Sequence, residues 1–281
     1  MRIGLISDTH CPQRCVAYPV SLGSVFGGVD LILHAGDVGA LWVLDALSEL
    51  APVVAVHGND DTEEAWRELP FSTTVSLRGR RILLWHGHHR DVQIERASHK
   101  EDAWEPKLKR RVGIAQAAGA EIVVTGHTHI PLVWREGDVT CVNPGAIASG
   151  GAFFRQRIQT VAILSLNDNG AESVEHFNLC DGSSYDPAFE IDAGFAATSR
   201  RYQAPIVVPE LLKQLRDTRD FDFEDEEAVK LCILSLSHEC WSGGKEMISV
   251  NDVMTAIRSG PNVRAADRDL ILGILDSGAA I

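Results

Sequence analysis

Ile122-Val123-Val124-Thr125-Gly126-His127-Thr128-His129 runs from a short apolar strand into a loop that carries two imidazoles. The same order, strand and then polar loop, recurs four times upstream. Arg2–Ser7 reads as a strand and leads to Asp8-Thr9-His10; Leu31–His34 leads to Gly36-Asp37. Val53–Val56 leads to Gly58-Asn59-Asp60-Asp61, and Arg81–Trp85 to His86-Gly87-His88. Loops that leave the C-terminal ends of strands in an α/β sheet converge in space. The five blocks then bring together Asp8, His10, Asp37, Asn59, His86, His127 and His129. Taken singly, Gly-Asp and Gly-Asn are ordinary turn dipeptides. The ordered set is specific. It holds enough donors for two metal ions sharing one carboxylate, a device for hydrolysing phosphate esters. Mixed nitrogen and oxygen ligation suits manganese, the first expectation, and iron, zinc, nickel or cobalt better than calcium or magnesium.

Alternation of strands and helices over residues 1–179 predicts an α/β domain. Helices are expected at Pro19–Phe26, Leu41–Leu50, Thr62–Leu69 and Asp102–Ala118, and a β-hairpin at Thr73–Leu77 and Arg81–Trp85. Further strands fall near 131–135, 139–142, 160–166 and 172–177, with Asp168-Asn169-Gly170 as a hairpin turn. Antiparallel pairs late and alternation early point to two packed sheets flanked by helices. Residues 180–281 change character: a weakly patterned linker to Pro205, then helices at Pro209–Arg219, Glu224–Cys240, Val250–Arg258 and Ala265–Leu275. This stretch is read as a helical accessory domain that could mediate homo-oligomer formation.

The 281 residues carry a net charge of −13, and residues 180–281 hold 18 Asp and Glu against 10 Lys and Arg. Such a balance disfavours non-specific binding to a nucleic-acid backbone. It leaves a small nucleotide substrate open, because bound cations invert the local field. The six cysteines form no CxxC pair, and neither a signal peptide nor a membrane span is read; a cytoplasmic, reduced protein is the expectation. His34 and His57, beside the ligand loops, are read as packing, with orientation of the metal ligands as the alternative. Lys107, Lys109, Arg110 and Arg111 form a basic cluster, read as a solvated helix face with phosphate contact as the alternative.

The first 180 or so residues resemble the calcineurin-like metallophosphoesterases, in particular their small bacterial and archaeal phosphodiesterase branch, and Asn143-Pro144-Gly145-Ala146 adds to the match. The resemblance implies a four-layer α/β/β/α sandwich of two mixed sheets, with a dinuclear centre. Asp8, His10, Asp37 and His129 would hold one ion; Asp37 as bridge, Asn59, His86 and His127 would hold the other. A hydroxide shared by the two cations would attack phosphorus in line with the leaving alkoxide. Many relatives place histidine after the metal-binding asparagine; here Asp60 stands there, and beside two cations it is a poor acid. His88 or a water is then expected to assist the leaving group, so the catalytic set reads Asp37, Asn59, His88 and Asp60. The chain lacks Gly-Asp-x-x-Asp-Arg-Gly, which argues against the phosphoprotein phosphatase branch. The expected activity is hydrolysis of a small nucleotide or other organic phosphodiester. The rivals are a nuclease on the same fold and a protein-interaction scaffold with a vestigial metal site.

Overall fold

Strand β1 (Arg2–Ile6) pairs in parallel with β2 (Leu31–His34), and β2 with β3 (Val53–Ala55). On the other side of β1, β10 (Thr160–Leu166), β11 (Glu172–Asn178) and β12 (Ser184–Tyr185) add antiparallel strands, completing a six-stranded mixed sheet. The second sheet runs in the order β4 (Ser72–Leu77), β5 (Arg80–Trp85), β6 (Ile122–Val124), β8 (Val139–Asn143) and β7 (Leu132–Glu136). Its β5, β6 and β8 are parallel, and its edges are antiparallel. This computed structural model describes residues 1–15, 17–169, 172–217 and 223–277.

The period of two in each strand sorts its side chains between two cores. Ile3, Leu5 and Leu33 of the first sheet meet Ile82, Leu84, Ile122 and Val124 of the second in one buried cluster. The alternate residues Ile6 and Ile32 face α1 (Ser21–Val25) and α2 (Trp42–Ser48) through Leu22, Val25 and Leu47. Leu83, Trp85 and Val123 pack on Val112 and Ala115 of α5 (Trp104–Ala117). The result is the expected four-layer α/β/β/α sandwich. Thr62 caps α3 (Glu63–Glu68) by accepting the Ala65 amide, and Asp91 caps α4 (Val92–Ser98), a helix the sequence reading left unassigned.

The chain divides into two units, Met1–Gly150 with Gln156–Gln203 and Gly151–Arg155 with Ala204–Ile281. Residues 180–203, grouped by sequence with the C-terminal segment, fall in the first unit. There α6 (Phe195–Tyr202) and the preceding aromatics pack with Trp104 and Leu108 of α5, and the Trp104 indole donates to Thr198 Oγ1 at 3.2 Å. Weak patterning hid this, because Tyr185, Phe189, Phe195 and Tyr202 follow neither a helix nor a strand period. Strands β9 (Phe154–Gln156) and β13 (Gln203–Pro205) lie where the chain passes from one unit to the other.

In the second unit, α7 (Pro209–Asp217), α8 (Glu226–Trp241), α9 (Val250–Ser259) and α10 (Ala265–Ser277) follow the expected helices within a few residues. Val229, Leu236, Val253, Ile257, Ile271 and Leu275 form their shared core. A reciprocal Ser249–Asp252 capping box starts α9. Gly170 of the expected hairpin turn, and Thr218 and Arg219 of the expected helix, lie outside the described residues. No described helix is long and apolar enough to cross a membrane.

Buried His176 of β11 donates from Nε2 to the Asn143 carbonyl at 2.8 Å. Burial pushes its pKa from the ordinary 6.5 down to about 4. The unfolded chain therefore takes up a proton below pH 6.5 that the folded chain refuses until pH 4, so acid destabilises the fold over that window. The expected loss is about 3 kcal/mol, complete by pH 4. Denaturant unfolding at pH 7 and pH 4.5 should show a smaller stability difference in His176→Gln than in the wild type. Equal differences would contradict this account.

Candidate metal centre

The ligand loops leave the C-terminal ends of the parallel strands of both sheets. β1 leads to Asp8 and His10, β2 to Asp37, β3 to Asn59, β5 to His86, and β6 to His127 and His129. Five of these seven residues, Asp8, His10, Asp37, His127 and His129, hold φ between 44° and 69°. Non-glycine residues seldom adopt this left-handed conformation, and its clustering singles these loops out as the candidate site. Backbone bonds lock the loops together: the Asp8 amide donates to Gly36 O and the His10 amide to Asp37 O, each at 3.0 Å. His34, buried, meets Thr9 Oγ1 at 3.1 Å and accepts the Gly36 amide at 3.3 Å. It braces the first two loops against each other, which makes it more than core filler.

Two imidazoles are fixed in one tautomer. His86 Nδ1 donates to Ala35 O at 2.7 Å, and His129 Nδ1 donates to Ala148 O at 2.9 Å. In the neutral rings Nε2 is then the bare acceptor. His86 Nε2 lies 3.2 Å from Asp37 Oδ2, and His129 Nε2 lies 3.1 Å from Asp8 Oδ1. His10 Nε2 is 3.5 Å from the same Asp37 oxygen, and its ring stacks on His129. His86 Nε2 is buried and makes no hydrogen bond. A lone pair facing a carboxylate requires a cation between them, either a proton or a metal ion.

The electrostatics agree. Burial resists ionisation of Asp8, but the neighbouring His129 outweighs it and brings the carboxyl down to about 2. Burial likewise works against Asp37, and His86 and His10 hold it well below the carboxylate range. Burial opposes charge on His86, yet the Asp37 carboxylate raises it to about 10. The two carboxylates are thus held ionised and His86 strongly basic, so a divalent ion binding there would displace the His86 proton.

Asp8, His10 and His129 form one group whose ligand atoms lie within 4.8 Å of one another, and Asp8, Asp37 and His86 form a second. Asp8 thus reaches both, where the sequence reading gave the bridging position to Asp37 alone. Asn59 is exposed and lines the cavity beside Asp37. The His127 amide donates to the Asp8 carboxylate at 3.1 Å, while its Nε2 contacts Glu95 Oε1 at 2.7 Å. Glu95, on α4, also contacts His99 Nε2 at 2.9 Å and accepts the His89 amide at 2.6 Å. With Nε2 engaged, His127 has Nδ1 as its remaining donor atom toward a metal. No motif marks Glu95 in the sequence.

Two expectations need correcting. His88 is buried against Phe71, with ring centroids 5.0 Å apart, and is absent from the cavity lining. Burial, then His86, lowers its pKa to about 3, which favours the neutral ring. Asp60 does reach the cavity, but as the partner of Arg14, whose guanidinium it binds. Arg14 also lies 3.4 Å from the His10 ring nitrogens and donates to Ser149 O. The Asn143-Pro144-Gly145 turn also finds its reason. Asn143 Nδ2 donates to Gly126 O and Thr128 Oγ1, bracing the loop that carries His127 and His129.

Close packing around Gly126 gives a direct test of the site's rigidity. A Cβ there would collide with Ser7 Oγ and come 2.5 Å from Asp8 Oδ2. Gly126→Ala is expected to lose roughly 1–3 kcal/mol of stability and to displace Asp8. Gly113→Ala, on the exposed face of α5 with nothing within 4 Å of its Cβ, should instead gain up to about 1 kcal/mol. Thermal melts of the two variants decide this; a melting point for Gly126→Ala matching the wild type would refute the packing argument.

Comparison with known proteins agrees with this geometry. The profile of the calcineurin-like phosphoesterase superfamily domain matches residues 1–169. A probable metallophosphoesterase of Methanocaldococcus jannaschii is 36% identical over 52% of this chain and 68% of its own length. A phosphodiesterase of the same organism is 25% identical over 52% of this chain and 83% of its own. Among solved structures, Vps29 of Entamoeba histolytica in complex with zinc shares the fold, with a TM-score of 0.51 and 23% identity over 66% of this chain and 96% of that one. Strand order, convergent ligand loops and sequence match together establish that this chain belongs to the calcineurin-like phosphoesterase superfamily.

Proposed function

We propose that the chain is a dinuclear, metal-dependent phosphodiesterase acting on a small nucleotide or other organic phosphodiester. The observation that carries this reading is the buried, unbonded His86 Nε2 facing Asp37 Oδ2, with His129 Nε2 likewise 3.1 Å from Asp8 Oδ1. Asp8, His10, Asp37 and His129 would hold one ion, and Asp37, Asn59, His86 and His127 the other. The nitrogen and oxygen donors suit manganese first, with iron, zinc, nickel and cobalt as alternatives. Divalent ions held there supply Lewis acidity, acidifying water and neutralising charge on the phosphoryl oxygens.

The rest falls to the chain's own side chains. His86 and His129, each tied to a carbonyl, keep their Nε2 lone pairs aimed at the centre. Arg14, anchored by Asp60, offers a guanidinium to a phosphoryl oxygen in the same cavity. Asp60 is thereby a positioning residue for Arg14. With His88 packed against Phe71 and outside the cavity lining, esters whose leaving group needs little protonation are favoured. The similarity to a phosphodiesterase of M. jannaschii supports a diester over a monoester.

Calorimetric titration of metal-stripped protein with manganese tests the ligand assignment. About two equivalents are expected for the wild type. Absence of binding by folded protein would overturn the reading.

A further inference from the structure

A cavity of about 410 Å³ opens on His10, Asp37, His127 and His129, and Lys107, Arg110 and Arg111 of α5 line it as well. Spacings of three and four residues put these cations on one helix face. Lys109, between them, points elsewhere and pairs with Glu105. The expectation of a uniformly solvated basic face therefore fails for the other three, and Arg111 is only 4% exposed.

Among the described residues, their hydrogen bonds all go to neutral oxygens. Lys107 Nζ donates to Ser98 O at 3.1 Å and Glu101 O at 2.6 Å. Arg110 donates to Gly87 O at 2.7 Å and His88 O at 2.9 Å. Arg111 donates to Thr125 Oγ1 at 3.2 Å and Lys107 O at 3.0 Å. Nearby carboxylates are engaged with other groups: Glu95 with His127 and His99, Glu105 with Lys109, Glu101 with the Ala103 amide, Asp102 with the Ala196 amide.

Glu95 attracts all three cations, and Glu101 and Asp102 attract Lys107, but among the described residues none forms an ion pair with them. Burial still works against each charge, and three like charges on adjacent turns repel. An anion entering the cavity offsets both costs. Donors remain to receive it, since an ammonium has three N–H groups and a guanidinium five. Two rings hold the cations in place: Phe195 lies 5.4 Å from Lys107 Nζ, and Trp85 lies 4.5 Å from the Arg110 guanidinium carbon. The phosphorus under attack belongs beside the aspartates and histidines, so this second positive cluster serves another group.

We propose that Lys107, Arg110 and Arg111 form a subsite for a second phosphate of the substrate. The preferred ester is then a nucleotide phosphodiester that carries a phosphomonoester elsewhere in the molecule. This rests on the phosphodiesterase reading above for the placement of the scissile group.

The test is calorimetry on the manganese-loaded full chain with two probes that lack a phosphodiester bond, thymidine 5′-monophosphate and thymidine 3′,5′-bisphosphate, with release of inorganic phosphate followed so that only uncleaved probe is scored. The bisphosphate should bind about tenfold or more tightly in the wild type, as expected of an added charge-assisted contact. Lys107→Met and Arg110→Met, made separately so that misfolding of one leaves the other informative, should each cut that advantage to about threefold or less. Equal binding of the two probes by the wild type, or an undiminished advantage in both folded variants, would overturn the subsite. Hydrolysis of bis(p-nitrophenyl) phosphate, run in parallel, separates the two ideas. A chain that cleaves the diester yet binds both probes equally keeps the phosphodiesterase and loses the subsite. A chain that prefers the bisphosphate yet cleaves no diester keeps the anion subsite and loses the phosphodiesterase.

Discussion

Asp37→Ala is expected to lower kcat/KM for a phosphodiester by about a thousandfold or more, equivalent to at least ~4 kcal/mol of transition-state stabilisation. Asp37 Oδ2 faces His86 Nε2 at 3.2 Å and His10 Nε2 at 3.5 Å, so one oxygen serves both sides of the centre. Oδ1 accepts the Asp60 amide at 2.9 Å, which fixes the carboxylate plane. On the proposed assignment, removing the group takes a ligand from both ion sites and leaves Asp8 as the remaining carboxylate grouped with the two imidazoles. Asp37→Asn keeps the shape and the Asp60 contact but lacks the charge, and it should be nearly as impaired. Elemental analysis of metal content alongside the kinetics separates loss of an ion from loss of the fold. Full activity in either variant would sink the dinuclear assignment.

Glu95→Ala should weaken manganese binding by about 10- to 100-fold without touching any assigned ligand atom. Glu95 Oε1 holds His127 Nε2 at 2.7 Å, which leaves Nδ1 as the ring's remaining donor atom for a metal. Burial works against its charge, but the hydrogen bonds from His127 and His99 prevail and hold its carboxyl well below the usual range. Glu95→Gln retains an acceptor for His127 and should recover part of the affinity. That partial rescue distinguishes orientation of His127 from general damage to α4. Unchanged affinity in Glu95→Ala would show that His127 needs no such support.

The sandwich and the convergence of the five ligand blocks were legible because both follow from short-range rules. Alternating Ile3, Leu5 and Ile6, or Ile82, Leu83 and Leu84, announces strands covered on both faces. A polar block directly after each strand announces a site at one sheet end. Other features depend on which way a helix or loop turns, and local pattern does not encode that. Arg14 lies four residues past His10 in irregular chain, and only its bond to Asp60 reveals its place. Glu95 sits on a helix whose exposed Val92 and Ile94 give no amphipathic signature. Lys107, Arg110 and Arg111 read as surface until α5 is seen with that face lining the cavity. His88, whose His-Gly-His setting suggested chemistry, is instead packed against Phe71 and His57.

The central claim is metal-dependent cleavage of a phosphodiester. Its most direct test is hydrolysis of bis(p-nitrophenyl) phosphate by metal-stripped protein before and after addition of manganese, with p-nitrophenyl phosphate run alongside. The account predicts negligible turnover without metal, restoration on adding it, and faster cleavage of the diester than of the monoester. Folded protein that binds metal yet cleaves neither ester with any of the five transition metals would contradict the account and favour an interaction scaffold instead.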